Sequence, residues 1–141
     1  MDALGAGDWG KAAGLYLQGL YWAYLLRVWP LERVLRLLRL KTRRASRPCR
    51  DDPARIARLV GLVIRRSTVP FASRCLVRSL VLFSRLGPGR PGLRLHLGMR
   101  PGWGARPGPG HAWVTLEGRG LLPGDESAAA QYREFLVLEA G

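Results

Sequence analysis

Three observations predict an α+β fold. Apolar residues recur at helical spacing through residue 86. Strict two-residue alternation takes over at residue 93. Between and around these regimes the chain is punctuated by Gly and Pro, 13 of them in the 24 residues 87–110. At 141 residues the length suits one domain of ordinary size with a real core.

The elements follow in order. Residues 12–29 (AAGLYLQGLYWAYLLRVW) form an apolar, aromatic-rich run whose only strongly polar members are Gln18 and Arg27, and Pro30 ends or kinks it. Its length sits at the lower limit for a membrane span, and Gly14 and Gly19 weaken it further. The expected reading is a buried or partner-facing helix. If residues 12–44 dock a partner, the aromatic run Tyr16, Tyr21, Trp22, Tyr24 and Trp29 is the place to look. Residues 31–44 read as a second helix, with Leu31, Leu35 and Leu38 on one stripe and Arg33, Arg36, Arg39 and Arg43 on the other. Residues 45–51 are a linker. Asp51 or Asp52 is placed to cap a third helix that has Pro53 in its first turn and Ile56, Leu59, Val60, Val63 and Ile64 on its apolar face.

Residues 68–72 are extended because of Pro70. Ser73 is a candidate cap for a helix over 74–86, with Leu76, Leu80 and Phe83 buried and Gly87-Pro88-Gly89 ending it. Leu93, Leu95, Leu97 and Met99 alternate with Arg94, His96, Gly98 and Arg100 in a half-buried strand. Residues 101–110 form a loop and 111–117 a second strand. Gly118-Arg119-Gly120 is expected to be a tight turn and Leu121-Leu122 a short third strand. Ser127 to Tyr132 fits a helical turn, and Phe135 to Leu138 an edge strand. The expected organisation is an N-terminal helical segment, 1–50, packing on a core or a partner, and a core over 51–141, the two forming one compact unit.

Charge narrows the function classes. Lys and Arg number 23, Asp and Glu 10, for a net +13. Residues 27–100 hold 19 basic and three acidic residues, while the two flanking regions are slightly acidic. A patch for RNA or an anionic membrane would produce this pattern, and a non-catalytic adaptor of that kind is the alternative function. The Arg residues, however, alternate with apolar stripes and few aromatics sit among them, so nucleic acid is not expected and a membrane is disfavoured. Two cysteines make no disulfide scaffold, which fits a cytoplasmic chain. Cys49, Cys75, His96 and His111 have no short chelating pair, so no metal is expected. No cofactor motif is present: GPGRPG lacks the Lys and Ser/Thr of a phosphate loop.

The chemistry-bearing residues are few. Cys75 opens a predicted helix, where the dipole and free amides favour thiolate, as do Arg74 and Arg78. His111 begins a strand after a Gly-Pro loop. A Cys nucleophile needs such a base, and the base needs an orienter. Asp125, following the third strand, and Glu117, six residues along the strand from His111, are candidates. Strand rise puts Glu117 about 20 Å away and favours Asp125.

The order SRCLVRSLVLFSRLG, a Leu-alternating strand, HAWVTLEG, then GDE resembles the transglutaminase-like Cys–His–Asp proteases, nearest to the leader peptidases of lasso peptide biosynthesis. The likeness spans about residues 15–137. It implies a transglutaminase-like, papain-like core and a cysteine endopeptidase that removes the leader from a lasso precursor. In it Cys75 is the nucleophile, His111 the base and Asp125 the orienter, with Glu126 and Glu117 as alternatives. The Cys75 backbone amide would donate to the oxyanion. Leu97, Trp103 and Trp113 would line the substrate cleft. Some members of that family carry a fused winged-helix recognition domain, whereas residues 1–50 here read as apolar and basic helices without that domain's strands. The resemblance therefore implies a split system whose partners are the precursor peptide, a separate leader-recognition protein and the ATP-dependent cyclase. Acyl transfer on the same fold, as in transglutaminases, is a third reading.

Overall fold

The structure, a computed structural model, describes residues 6–44, 51–66, 74–88, 90–99, 110–122, 125 and 130–140. Cys49, the extended segment 68–72, Ser73, loop 101–109 with Trp103, Glu126 and residues 127–129 lie outside the described residues. Among the described residues, four helices precede a four-stranded antiparallel sheet: α1 Ala6–Val28, α2 Leu31–Arg44, α3 Pro53–Arg66, α4 Arg74–Leu86, β1 Leu93–Met99, β2 Gly110–Leu116, β3 Arg119–Gly120 and β4 Arg133–Glu139. The fold is α+β.

α1 begins at Ala6, six residues before the apolar run. Gly7, Gly10 and Gly14 make its first turns intrinsically weak. Tertiary ion pairs hold them: Asp8 with Arg55 of α3, and Lys11 with Asp51 at 3.1 Å. Its inner face carries Ala12, Leu15, Trp22 and Leu25, all buried. Trp22, expected in an exposed aromatic row, is therefore in the core, while Tyr21 and Tyr24 are exposed. Among the described residues no helix is long and apolar enough to cross a membrane. Pro30 separates α1 from α2, and its carbonyl accepts the Arg33 and Val34 amides that start α2. Val34, Leu35 and Leu38 of α2 enter the same core as Ile56, Leu59 and Val60 of α3.

α4 is the central helix. It packs on α1, α2, α3, β1 and β2, and seven of its 13 residues are buried. Its end is set by space rather than by a left-handed cap. A Cβ on Gly87 would lie 2.5 Å from the Phe83 carbonyl and 2.6 Å from the Thr42 methyl, and Gly87 has no positive φ. Asp51 ties α1, α4 and the segment before β1 together. Its carboxylate accepts from Lys11 and Arg85, and its carbonyl accepts from Arg90. Asp52 occupies the position before Pro53.

The sheet order is β3-β2-β1-β4. β1 pairs with β2 so that Leu97 faces Ala112, Gly98 faces His111 and His96 faces Trp113. β4 is an edge strand, paired to β1 with a register shift at Leu97/Gly98. Leu93, Leu95, Leu97, Ala112 and Val114 join the helix-side core. The turn after β2 differs from the expected Gly118–Gly120. Glu117 and Gly118 both take positive φ, 53° and 84°, which makes a two-residue hairpin turn. The third strand is accordingly Arg119–Gly120, and Leu122 leaves it to pack against α3 near Gly61.

Candidate active site

Cys75 is the second residue of α4, so its amide is one of the four that no helical carbonyl reaches. Its side chain is half-buried and reduced. His111 is the second residue of β2. The two come together in one pocket of about 290 Å³ at the end of the sheet where β1 leaves and β2 enters. Leu97, Met99, Phe135 and Leu31 give it apolar walls. The pocket therefore joins a thiol at a helix N-terminus to an imidazole, beside space for an apolar side chain.

The outer face of the sheet holds the His111 ring. It stacks on Tyr132 with centroids 4.8 Å apart and on Trp113 at 5.9 Å. Trp113, expected as a cleft wall, is 2% exposed and lies behind the imidazole instead. Gly98 makes room for this stack: a Cβ there would sit 3.0 Å from the Trp113 ring and from the Tyr132 Cβ. Trp113 stacks in turn on His96, at 5.2 Å and nearly parallel. His96 bonds Glu134 through Nδ1 and Thr115 Oγ1 through Nε2 at 2.7 Å. Burial, with the Arg78 guanidinium second, holds the His111 pKa below the ordinary imidazole value of 6.5, so the ring is neutral at pH 7.

Asp125 is 1% exposed. Its Oδ2 accepts the Leu122 amide at 3.1 Å, Arg78 stands 3.8 Å from Oδ1, and Oδ1 itself has no hydrogen-bond partner. Burial raises its pKa; the Leu122 backbone, Arg78, the Val114 backbone and His96 oppose this less strongly. No hydrogen bond joins Asp125 to His111 among the described residues. Arg78, one turn after Cys75, acts on both groups. The other acid considered, Glu117, occupies the hairpin turn at the far end of β2. Among the described residues no cluster of His, Cys, Asp and Glu could hold a metal ion.

Sequence reasoning missed the stack His96–Trp113–His111–Tyr132 and the position of Arg78 between two titratable groups. His96 was visible as an outward residue of an alternating strand. Its pairing with Trp113 depends on a register that no local signal encodes.

The family model of the transglutaminase-like superfamily matches residues 17–137. The chain belongs to that superfamily, and its helices followed by an antiparallel sheet form a core of that kind. No curated protein and no solved structure matches the chain.

Proposed function

We propose that this chain is a cysteine endopeptidase that removes the leader from a ribosomally made lasso precursor. The observation that carries the reading is the shared pocket of Cys75, at the start of α4, and His111, at the start of β2. Neutral His111 takes the Cys75 proton, and the thiolate attacks the carbonyl carbon at the leader–core junction. The Cys75 amide donates to the oxyanion that forms. The carbon–nitrogen bond breaks as His111 passes its proton to the departing core amine. Water then attacks the thioester, His111 takes a proton from it, and the leader leaves with a carboxylate while Cys75 regains its proton. Asp125 is the orienter in this scheme: its unbonded Oδ1 is the acceptor that an imidazolium at His111 would seek. Leu97, Met99 and Phe135 receive an apolar side chain of the peptide.

The partners of this reading are the precursor, a separate leader-recognition protein and the ATP-dependent cyclase that consumes the freed core amine. The experiment is co-incubation of the protein with precursor and recognition protein, followed by intact mass. Wild type is expected to release leader and core, and Cys75→Ala to release neither. Full cleavage by Cys75→Ala would remove the assignment. A ring-closed or crosslinked product formed without the cyclase would move the chemistry to acyl transfer.

A further inference from the structure

A catalytic base must keep one nitrogen on the proton it takes, and the χ2 torsion of an imidazole is broad when nothing holds it. Among the described residues no hydrogen bond reaches the His111 ring. The groups stacked on it are aromatic. Tyr132, half-buried just ahead of β4, lies over it with centroids 4.8 Å apart and planes 21° apart. Trp113 stacks on it at 5.9 Å, and Tyr132 is 6.3 Å from Trp113, so the three rings close into one cluster.

The cluster is anchored at its far side. Trp113 is buried and nearly parallel to His96, whose two ring nitrogens bond Glu134 and Thr115. Register sets the near side. Gly98 pairs with Glu134 and Leu97 with Leu136, so Phe135 is an extra residue opposite no partner, a β-bulge. Bulges re-aim side chains beside active sites. This one sends Glu134 to His96 and Phe135 to the wall of the Cys75 pocket. It also brings Tyr132 over Gly98, where a Cβ would lie 3.0 Å from the Tyr132 Cβ. We propose that Tyr132 is a positioning residue for His111: its ring, set by the β4 bulge and backed by Trp113, fixes the plane in which the imidazole faces the Cys75 pocket. This rests on the peptidase reading above. A stack sets a ring's plane and leaves its tautomer to a polar partner, so the role is distinct from that of Asp125.

The test uses the full chain carrying Tyr132→Leu or Tyr132→Phe. Leu keeps an apolar side chain and removes the ring; Phe keeps the ring and removes the hydroxyl. The first readout needs no precursor: the rate of Cys75 alkylation by iodoacetamide at pH 7, located by peptide mass. It follows the thiolate that His111 helps to form. Tyr132→Leu is expected to slow it about tenfold, and Tyr132→Phe to restore it to within about twofold of wild type. The His111 Hε1 resonance, displaced by ring current in wild type and Tyr132→Phe, should lose that displacement in Tyr132→Leu. With precursor, Tyr132→Leu should lower kcat about 10- to 100-fold and leave KM within about threefold, the pattern of a misplaced base. An unchanged alkylation rate in Tyr132→Leu overturns the proposal. So does a loss shared equally by Tyr132→Phe, which moves the role to the hydroxyl, and a loss confined to KM, which makes Tyr132 a substrate contact. A lowered melting temperature with alkylation and kcat kept makes the residue structural only and overturns it too. Slowed alkylation in a protein that cleaves no precursor leaves the positioning role standing and removes the peptidase; precursor cleavage with alkylation indifferent to Tyr132→Leu does the reverse.

Discussion

Asp125→Asn separates an orienting role from a structural one. The carboxylate is buried, one oxygen accepts the Leu122 amide, and the other has only Arg78 at 3.8 Å. At an effective dielectric of about 20, that distance gives an attraction of about 4 kcal/mol, reduced by the partial exposure of Arg78. Against it stands a desolvation penalty of several kcal/mol for the buried ion. Burial is the larger influence, because the pKa of Asp125 is raised. Asn keeps an oxygen for the Leu122 amide and removes the buried charge. The variant should therefore unfold within about 1 kcal/mol of wild type at pH 7, on the stable side if it differs. Asp125→Ala leaves the Leu122 amide unsatisfied and should cost about 1–3 kcal/mol.

The sign with pH follows from the same shift. A raised folded-state pKa makes Asp125 favourable below the unfolded value near 3.8, and that contribution is lost as pH rises through the folded value. The Asn variant's advantage over wild type should thus be largest at neutral pH and shrink in acid. Urea melts at pH 4 and pH 7 measure this. Precursor cleavage, followed in parallel, should fall about 100-fold or more in Asp125→Asn, the range of a lost acid–base arrangement. A variant destabilised by more than about 2 kcal/mol with unchanged cleavage would refute the reasoning and make Asp125 a structural partner of Arg78.

Three further outcomes are expected. The His111 pKa lies below 6.5, so cleavage should have its acid limb below that pH, and Arg78→Gln should move the imidazole titration, read by NMR, upward. The stability contributed by neutral His111 is present above about 6.5 and is lost as pH falls through its folded value. Gly98→Ala puts a methyl group 3.0 Å from the Trp113 ring; about 1–3 kcal/mol of stability should go in denaturant melts, with the Trp113 fluorescence shifted to longer wavelength. Asp51→Asn should cost about 1–2 kcal/mol at pH 7, and the difference from wild type should close as pH falls through the lowered pKa of Asp51.

The helix that carries Cys75 and the strand that pairs with His111's strand were legible because each has a periodic signal. Leu76, Leu80 and Phe83 mark α4 at helical spacing, and Leu93, Leu95 and Leu97 mark β1 at spacing two. The features that escaped depend on distant contacts. Nothing local announces that Asp8 and Lys11 hold glycine-weakened turns by reaching Arg55 and Asp51. Gly118 pointed to a turn, but its position fell one residue early because Glu117 accepts the left-handed conformation that a glycine normally supplies. Trp113 read as a cleft wall. Only the cross-strand pairing with His96, and the gap over Gly98, put it behind the His111 ring.

Asp51 joins α1 through Lys11, α4 through Arg85 and the segment before β1 through Arg90. In a chain with 23 cationic and 10 anionic side chains, such a carboxylate is where mutual repulsion between the helices is neutralised. Screening then acts in two directions. It weakens the part-buried contacts of Asp51 only slightly, and it relieves the repulsion of the surplus as the Debye length contracts from about 10 Å at 0.1 M to about 3 Å at 1 M. The fold should tighten as ionic strength rises, the opposite of what a surface held together by exposed ion pairs would do. Asp51→Asn, deprived of its internal neutraliser, should depend on ionic strength more steeply than wild type.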